Sequence, residues 1–133
     1  MEDQKNQALE RLEKLFQNSK TGMTRDKYLD MMEQLGREPV EKEIPPDFED
    51  LPQIMVDAVH TFNSLGDKTY AEIGYTGKDY TNLPHFMDMY GVEDKEYFLQ
   101  ILSWLDSRAI KENSEQLKKE YDKLKRKSSG KRS

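Results

Sequence analysis

Apolar residues return every three or four positions along most of this chain, the spacing of one face of an α-helix. Over residues 2–18 the stripe is Ala8, Leu9, Leu12, Leu15 and Phe16, and the polar run from Asn18 to Gly22 breaks it. A second helix opens with Thr24 as N-cap and Asp26 in its first turn, carries Tyr28, Leu29, Met32 and Leu35 inward, and stops at Gly36. Pro39, Pro45 and Pro46 hold residues 37–46 out of helix. The clearest signal follows. Asp50 reads as a cap, Gln53 as its capping-box partner and Pro52 as a first-turn residue. The face Leu51, Ile54, Met55, Ala58, Val59, Phe62 and Leu65 predicts the centre of the core.

Periodicity is lost over residues 66–82, which hold three glycines and the tyrosines Tyr70, Tyr75 and Tyr80. Residues 70–73 and 74–76 have the composition of a short β-hairpin. A short helix over 83–90 turns Leu83, Phe86, Met87 and Tyr90 inward and ends at Gly91. Asp94 then caps a long helix whose first half is strongly apolar: Tyr97, Phe98, Ile101, Leu102, Trp104, Leu105, Ala109 and Ile110. Its second half keeps only a narrow seam of Leu117, Tyr121 and Leu124, and nothing breaks it before Ser128. A helix of about 34 residues, roughly 50 Å long, is expected.

The fold class is therefore mainly α: a small irregular helical domain with a long C-terminal helix and room for a short hairpin within 66–80. Residues 1–22 read as a helical extension, 23–110 as the compact domain, 111–127 as a projecting charged helix and 128–133 as a flexible basic tail. One modest core is all that 35% hydrophobic and 35% charged residues allow.

Charge divides the chain. Residues 123–133 hold Lys123, Lys125, Arg126, Lys127, Lys131 and Arg132 and no acid, which leaves 15 basic against 26 acidic side chains before them, a net of −11. The body repels polyanions and the tail attracts them, so weak, sequence-indifferent nucleic-acid contact is assigned to those six residues. With no cysteine there is no thiolate site or disulfide. No apolar run approaches the roughly 20 residues that cross a bilayer, and the polar N-terminus does not look like a signal peptide; a cytoplasmic protein without membrane contact is expected.

Catalytic signatures are not found. His60 and His85 have no metal-ligand spacing. Gly74, Gly77 and Lys78 resemble part of a phosphate loop, but two residues separate the glycines instead of four and Asp79 follows the lysine. In a helix-turn-helix reading of 83–90 and 94 onward, Glu93, Asp94 and Glu96 would face the phosphates. No catalytic residue, metal or cofactor is expected. Candidates for protein binding are Tyr70, Tyr75 and Tyr80, which serve either as anchors or as pins that hold the loop to the domain. With them stand Met31 and Met89, off the inward stripes, and the seam Leu117, Tyr121 and Leu124, which also suits self-association.

The run Met23-Thr-Arg-Asp-Lys-Tyr-Leu-Asp-Met-Met-Glu-Gln-Leu-Gly-Arg-Glu-Pro39, with Pro45-Pro-Asp-Phe-Glu-Asp-Leu-Pro52 and Ile73-Gly-Tyr-Thr-Gly-Lys-Asp-Tyr80, resembles small proteins encoded in the morphogenesis clusters of tailed bacteriophages. The resemblance implies a non-enzymatic tail or baseplate assembly chaperone that binds a virion component in the host cytoplasm. The rival expectation is a packaging accessory, like a small terminase subunit, that uses the basic tail.

Overall fold

In the computed structural model, which describes residues 2–130, Ala8 and Leu12 lie one helical turn apart and are both buried. They belong to α1 (Glu2–Thr21), which ends where Gly22 takes a left-handed φ of 76°. The side-chain oxygen of Thr24 accepts from the Lys27 N–H and starts α2 (Arg25–Gln34), which buries Tyr28 and Met32. Gly36, with φ 66°, lets the chain fold back so that the Arg37 N–H reaches the Met32 carbonyl and the Gly36 N–H that of Glu33. This is the Schellman closure. It leaves Leu35 at the C-cap and exposed, where the stripe had placed it inward.

The proline-rich stretch holds two single 3-10 turns, Glu41–Glu43 and Phe48–Asp50. The Tyr28 hydroxyl accepts from the Val40 N–H and donates to Glu43, so this irregular stretch is tied down by a buried side chain. Asp50 ends the second of these turns and does not itself adjoin the next helix. Its carboxylate accepts from the Asp47 N–H and from Arg25 at 2.8 Å, closing the turn before it. Nor is Pro52 within the first turn: α3 (Gln53–Ser64) begins one residue later, with the Pro52 carbonyl accepting from Met55 and Val56. A proline needs no N–H in that role.

The chain forms two compact units, Met1–Val56 and Asp57–Ser133, so the division falls inside the stretch expected as one domain, and α1 belongs to the first unit. That unit buries Ala8, Leu12, Tyr28, Met32, Leu51 and Met55. The second buries Ala58, Val59, Thr61, Leu65, Leu83, Tyr97, Phe98, Ile101, Leu102 and Leu105. Each large apolar side chain so buried contributes about 1.5–3 kcal/mol. Phe62 is only half-buried, and the fully buried neighbour on α3 is Thr61.

After α3 come β1 (Asp67–Tyr70) and β2 (Gly74–Lys78), an antiparallel pair joined by a turn at 71–73. The first strand lies three residues earlier than its composition suggested, so Ile73 falls in the turn; the second begins at Gly74, at φ 82°, as expected, and runs on to Lys78. The register runs Asp67↔Lys78, Lys68↔Gly77, Thr69↔Tyr75 and Tyr70↔Gly74, with Thr76 bulged out and its hydroxyl donating to the Lys68 carbonyl. Next, α4 (Leu83–Met89) closes at Gly91 in the same way as α2: the Val92 N–H bonds Met87 and the Gly91 N–H bonds Asp88. Finally α5 (Lys95–Gly130) is 36 residues, about 54 Å, with Asp94 accepting from the Tyr97 N–H at its start. It continues through Ser128 and Ser129, which helices tolerate, where a flexible tail was expected. Lys131 and Arg132 lie outside the described residues.

Candidate functional site

The strongest polar constellation in the second unit gathers on Asp106 of α5. Leu102 and Leu105 precede it on the buried face and Asp106 is itself only 8% exposed, so its carboxylate must be supplied with donors. The hairpin supplies them. The Tyr75 hydroxyl donates to Oδ1 at 2.5 Å, the Tyr80 hydroxyl to Oδ2 at 2.5 Å and the Lys78 N–H to Oδ2 at 3.2 Å. Two helical turns on, Asn113 Nδ2 donates to the Ile73 carbonyl at 3.1 Å and the Tyr75 carbonyl at 3.4 Å. One face of α5 therefore holds the hairpin at two points along β2.

Glycine is required where the strand meets the helix. A Cβ on Gly74 would stand 2.9 Å from Asn113 Oδ1, and one on Gly77 3.4 Å from Asp106 Oδ2. Lys78 closes the far end: its ammonium meets Asp67 at 2.5 Å, donates to the Leu65 carbonyl and sits 4.6 Å over the Phe62 ring. That lysine has no resemblance in role to a phosphate-loop lysine, since its donors are already engaged.

The electrostatics make this a fastening. Burial pushes the Asp106 carboxyl up, but the Tyr75 and Tyr80 hydroxyls, the Lys78 N–H and the Lys78 charge outweigh it and hold the group below the usual carboxylate range. Burial, then the bond to Asp106 and its charge, push both tyrosines well above the ordinary phenol value; Asp67 and Tyr80 add to the effect at Tyr75. Acid and phenols are driven apart, so no proton moves among them near neutral pH.

Of the residues expected to bind protein, the structure brings Tyr75 and Tyr80 together on Asp106. Their hydroxyls are engaged within the domain, which is the pinning alternative, although Tyr80 stays 37% exposed; Tyr70, beside the turn, is 60% exposed. Met31 and Met89 are exposed, one in each unit. On α5 Leu117 is half-buried, whereas Tyr121 and Leu124 are 62% and 67% exposed and Ile110 is exposed above them. Every side chain from Tyr121 to Lys127 is open to solvent. Lys123, Lys125, Arg126 and Lys127 ring the helix, because successive residues turn by about 100°, and Lys125 leans 5.6 Å from the Tyr121 ring. Asp106 and Asn113 escaped the periodic reading. A carboxylate on an apolar face and an amide exactly two turns on were the available signals.

Among the described residues no group of three or more histidine, cysteine or acidic side chains is placed to hold a metal ion, and no helix is long and apolar enough to cross a membrane. A cleft of about 270 Å³ in the first unit is lined by Leu15, Asn18, Met23, Arg25, Pro46 and Phe48 among others, with Arg25 engaged by Asp50. No protein family, curated protein or solved structure matches the chain.

Proposed function

We propose that this chain is a non-enzymatic protein-binding assembly factor whose client docks on the second half of α5. The observation that carries the reading is the seam Ile110, Leu117, Tyr121 and Leu124: apolar residues at coiled-coil spacing on a helix that continues beyond the buried part of its own unit. Fewer than three heptads is too little for a stable solitary coiled coil, so the seam suits a client that supplies the missing apolar surface. Tyr121 and Leu124 have the size to act as anchors, and the lysines around them stay solvated at the rim. The setting, tail or baseplate construction in a tailed bacteriophage, rests on the resemblance of residues 23–110 alone.

The test is affinity capture of the full chain from phage-infected cells, beside a Tyr121→Ser/Leu124→Ser double variant. A virion protein retained at high salt by the first and lost by the second supports the proposal. Retention by both, or capture of DNA that salt releases, overturns it; the second outcome would favour the packaging reading.

A further inference from the structure

The two edges of the hairpin are not equivalent, and the difference follows from its register. The Asp79 N–H bonds the Gly66 carbonyl at 2.7 Å, so bonded pairs alternate inward from there: Lys68↔Gly77 is a bonded pair, while Asp67↔Lys78 and Thr69↔Tyr75 are not. Residues of a non-bonded pair turn their main-chain N–H and C=O outward, away from the partner strand. On β2 those outward groups are taken by α5: the Lys78 N–H by Asp106 and the Tyr75 carbonyl by Asn113. On β1 the counterparts are the N–H and C=O of Asp67 and Thr69, and all four residues of β1 are exposed.

We propose that β1 is a docking edge for an extended peptide segment of a protein partner, which joins the hairpin as a third antiparallel or parallel strand. The main-chain groups of Asp67 and Thr69 supply donors and acceptors at alternate positions, the pattern an added strand reads. The edge is preorganised. The Asp106 and Asn113 fastenings and the Lys78–Asp67 ion pair hold β1 in place before any partner arrives, so little ordering entropy opposes docking. Side-chain preference comes from exposed Lys68 and Tyr70: a carboxylate opposite Lys68 and a large apolar residue near Tyr70 are favoured.

Two of the three symmetric registers open to a second copy of this chain are unfavourable: joining Asp67 to Thr69 of the other copy sets Lys68 against Lys68, and centring on Asp67 brings two carboxylates together, which leaves only the register centred on Thr69. A segment of different sequence has no such conflict. This edge lies apart from the α5 seam and does not depend on it.

The experiment uses the full chain and a random library of displayed heptapeptides, with the selected peptides as probes. Peptides of strand-forming composition that slow amide hydrogen exchange at Asp67 and Thr69 are expected, with an acidic residue enriched at one position. Thr69→Pro removes one outward N–H and no internal hairpin bond, and should weaken those peptides at least tenfold; exchange protection in the native chain gives the same answer if that variant fails to fold. The Tyr121→Ser/Leu124→Ser chain should bind them unchanged, which separates this surface from the α5 seam. Failure to select any peptide, protection confined to other residues, or concentration-dependent protection of Asp67 and Thr69 without peptide each overturns the proposal.

Discussion

The Tyr75 hydroxyl meets the Asp106 carboxylate at 2.5 Å across 31 residues of sequence, and with it the hairpin is fastened to α5. Tyr80 reaches the other oxygen of the same carboxylate. Hydrogen bonds to an ionised, part-buried group contribute about 1.5–3 kcal/mol each, more than neutral ones. The stability of the second unit should therefore be unusually sensitive to this one side chain.

Asp106→Ala leaves two phenols and an N–H without their acceptor and should cost about 3 kcal/mol or more. Tyr75→Phe and Tyr80→Phe each remove a single donor and should cost about 1.5–3 kcal/mol. Urea melts of the three variants check the order; a Tyr75→Phe chain as stable as the parent would count against the fastening.

Because the Asp106 carboxyl is held below its ordinary value, its contribution is present above the unfolded-state value of about 3.9 and is lost as pH falls through the lower folded value. The phenols of Tyr75 and Tyr80 are raised, so their contribution is present below the unfolded value of about 10 and is lost as pH climbs through the folded values. The stability gap between the parent and Asp106→Asn should be widest between those limits and narrow toward both. Ultraviolet titration should find Tyr75, Tyr80 and Tyr97 ionising above the ordinary phenol value; Tyr97 is raised first by burial and then by Asp94.

Thr61 is fully buried and its hydroxyl has no hydrogen-bond partner. A stranded hydroxyl costs about 1–3 kcal/mol, so Thr61→Val, which keeps the shape and removes the hydroxyl, should stabilise the chain or leave it unchanged. Thr61→Ser keeps the hydroxyl, loses a methyl and should destabilise it by about 1 kcal/mol. Equal losses for both in thermal melts would mean that the hydroxyl has a partner.

Gly74→Ala combines a left-handed backbone at φ 82° with a contact at 2.9 Å from Asn113. The backbone alone costs a non-glycine residue about 1–2 kcal/mol. Gly36→Ala, also left-handed but with open space around it, should cost only that amount. The difference between the two melts reads the approach of α5 to β2.

Tyr121→Ser and Leu124→Ser should each leave the melting temperature within about 2 °C, since exposed substitutions usually change stability by under about 0.5 kcal/mol. A large drop would show that the seam is buried within the folded chain.

Local order was legible in the residues themselves. Thr24, Asp94, Gly22, Gly36 and Gly91 start or stop helices through backbone geometry and capping, which depend on neighbours within a few positions. The five helices followed from periodicity for the same reason. Position along a stripe was less reliable at its ends: Leu35 falls at a cap, and Phe62 yields the deepest place on α3 to Thr61, because burial depends on what packs opposite. The hairpin fastening could not be read in advance. Asp106 and Asn113 meet residues 26 to 40 positions away only once β2 lies along α5, and a buried carboxylate gains its meaning from the donors the tertiary structure brings to it. Sequence thus determined which segments are helical and where glycine closes α1, α2 and α4. Only the tertiary structure decided that Tyr75 and Tyr80 are fastened inward while the main-chain edge of β1 faces out, since hydrogen-bond partners are set by register and proximity in space, which local pattern does not encode.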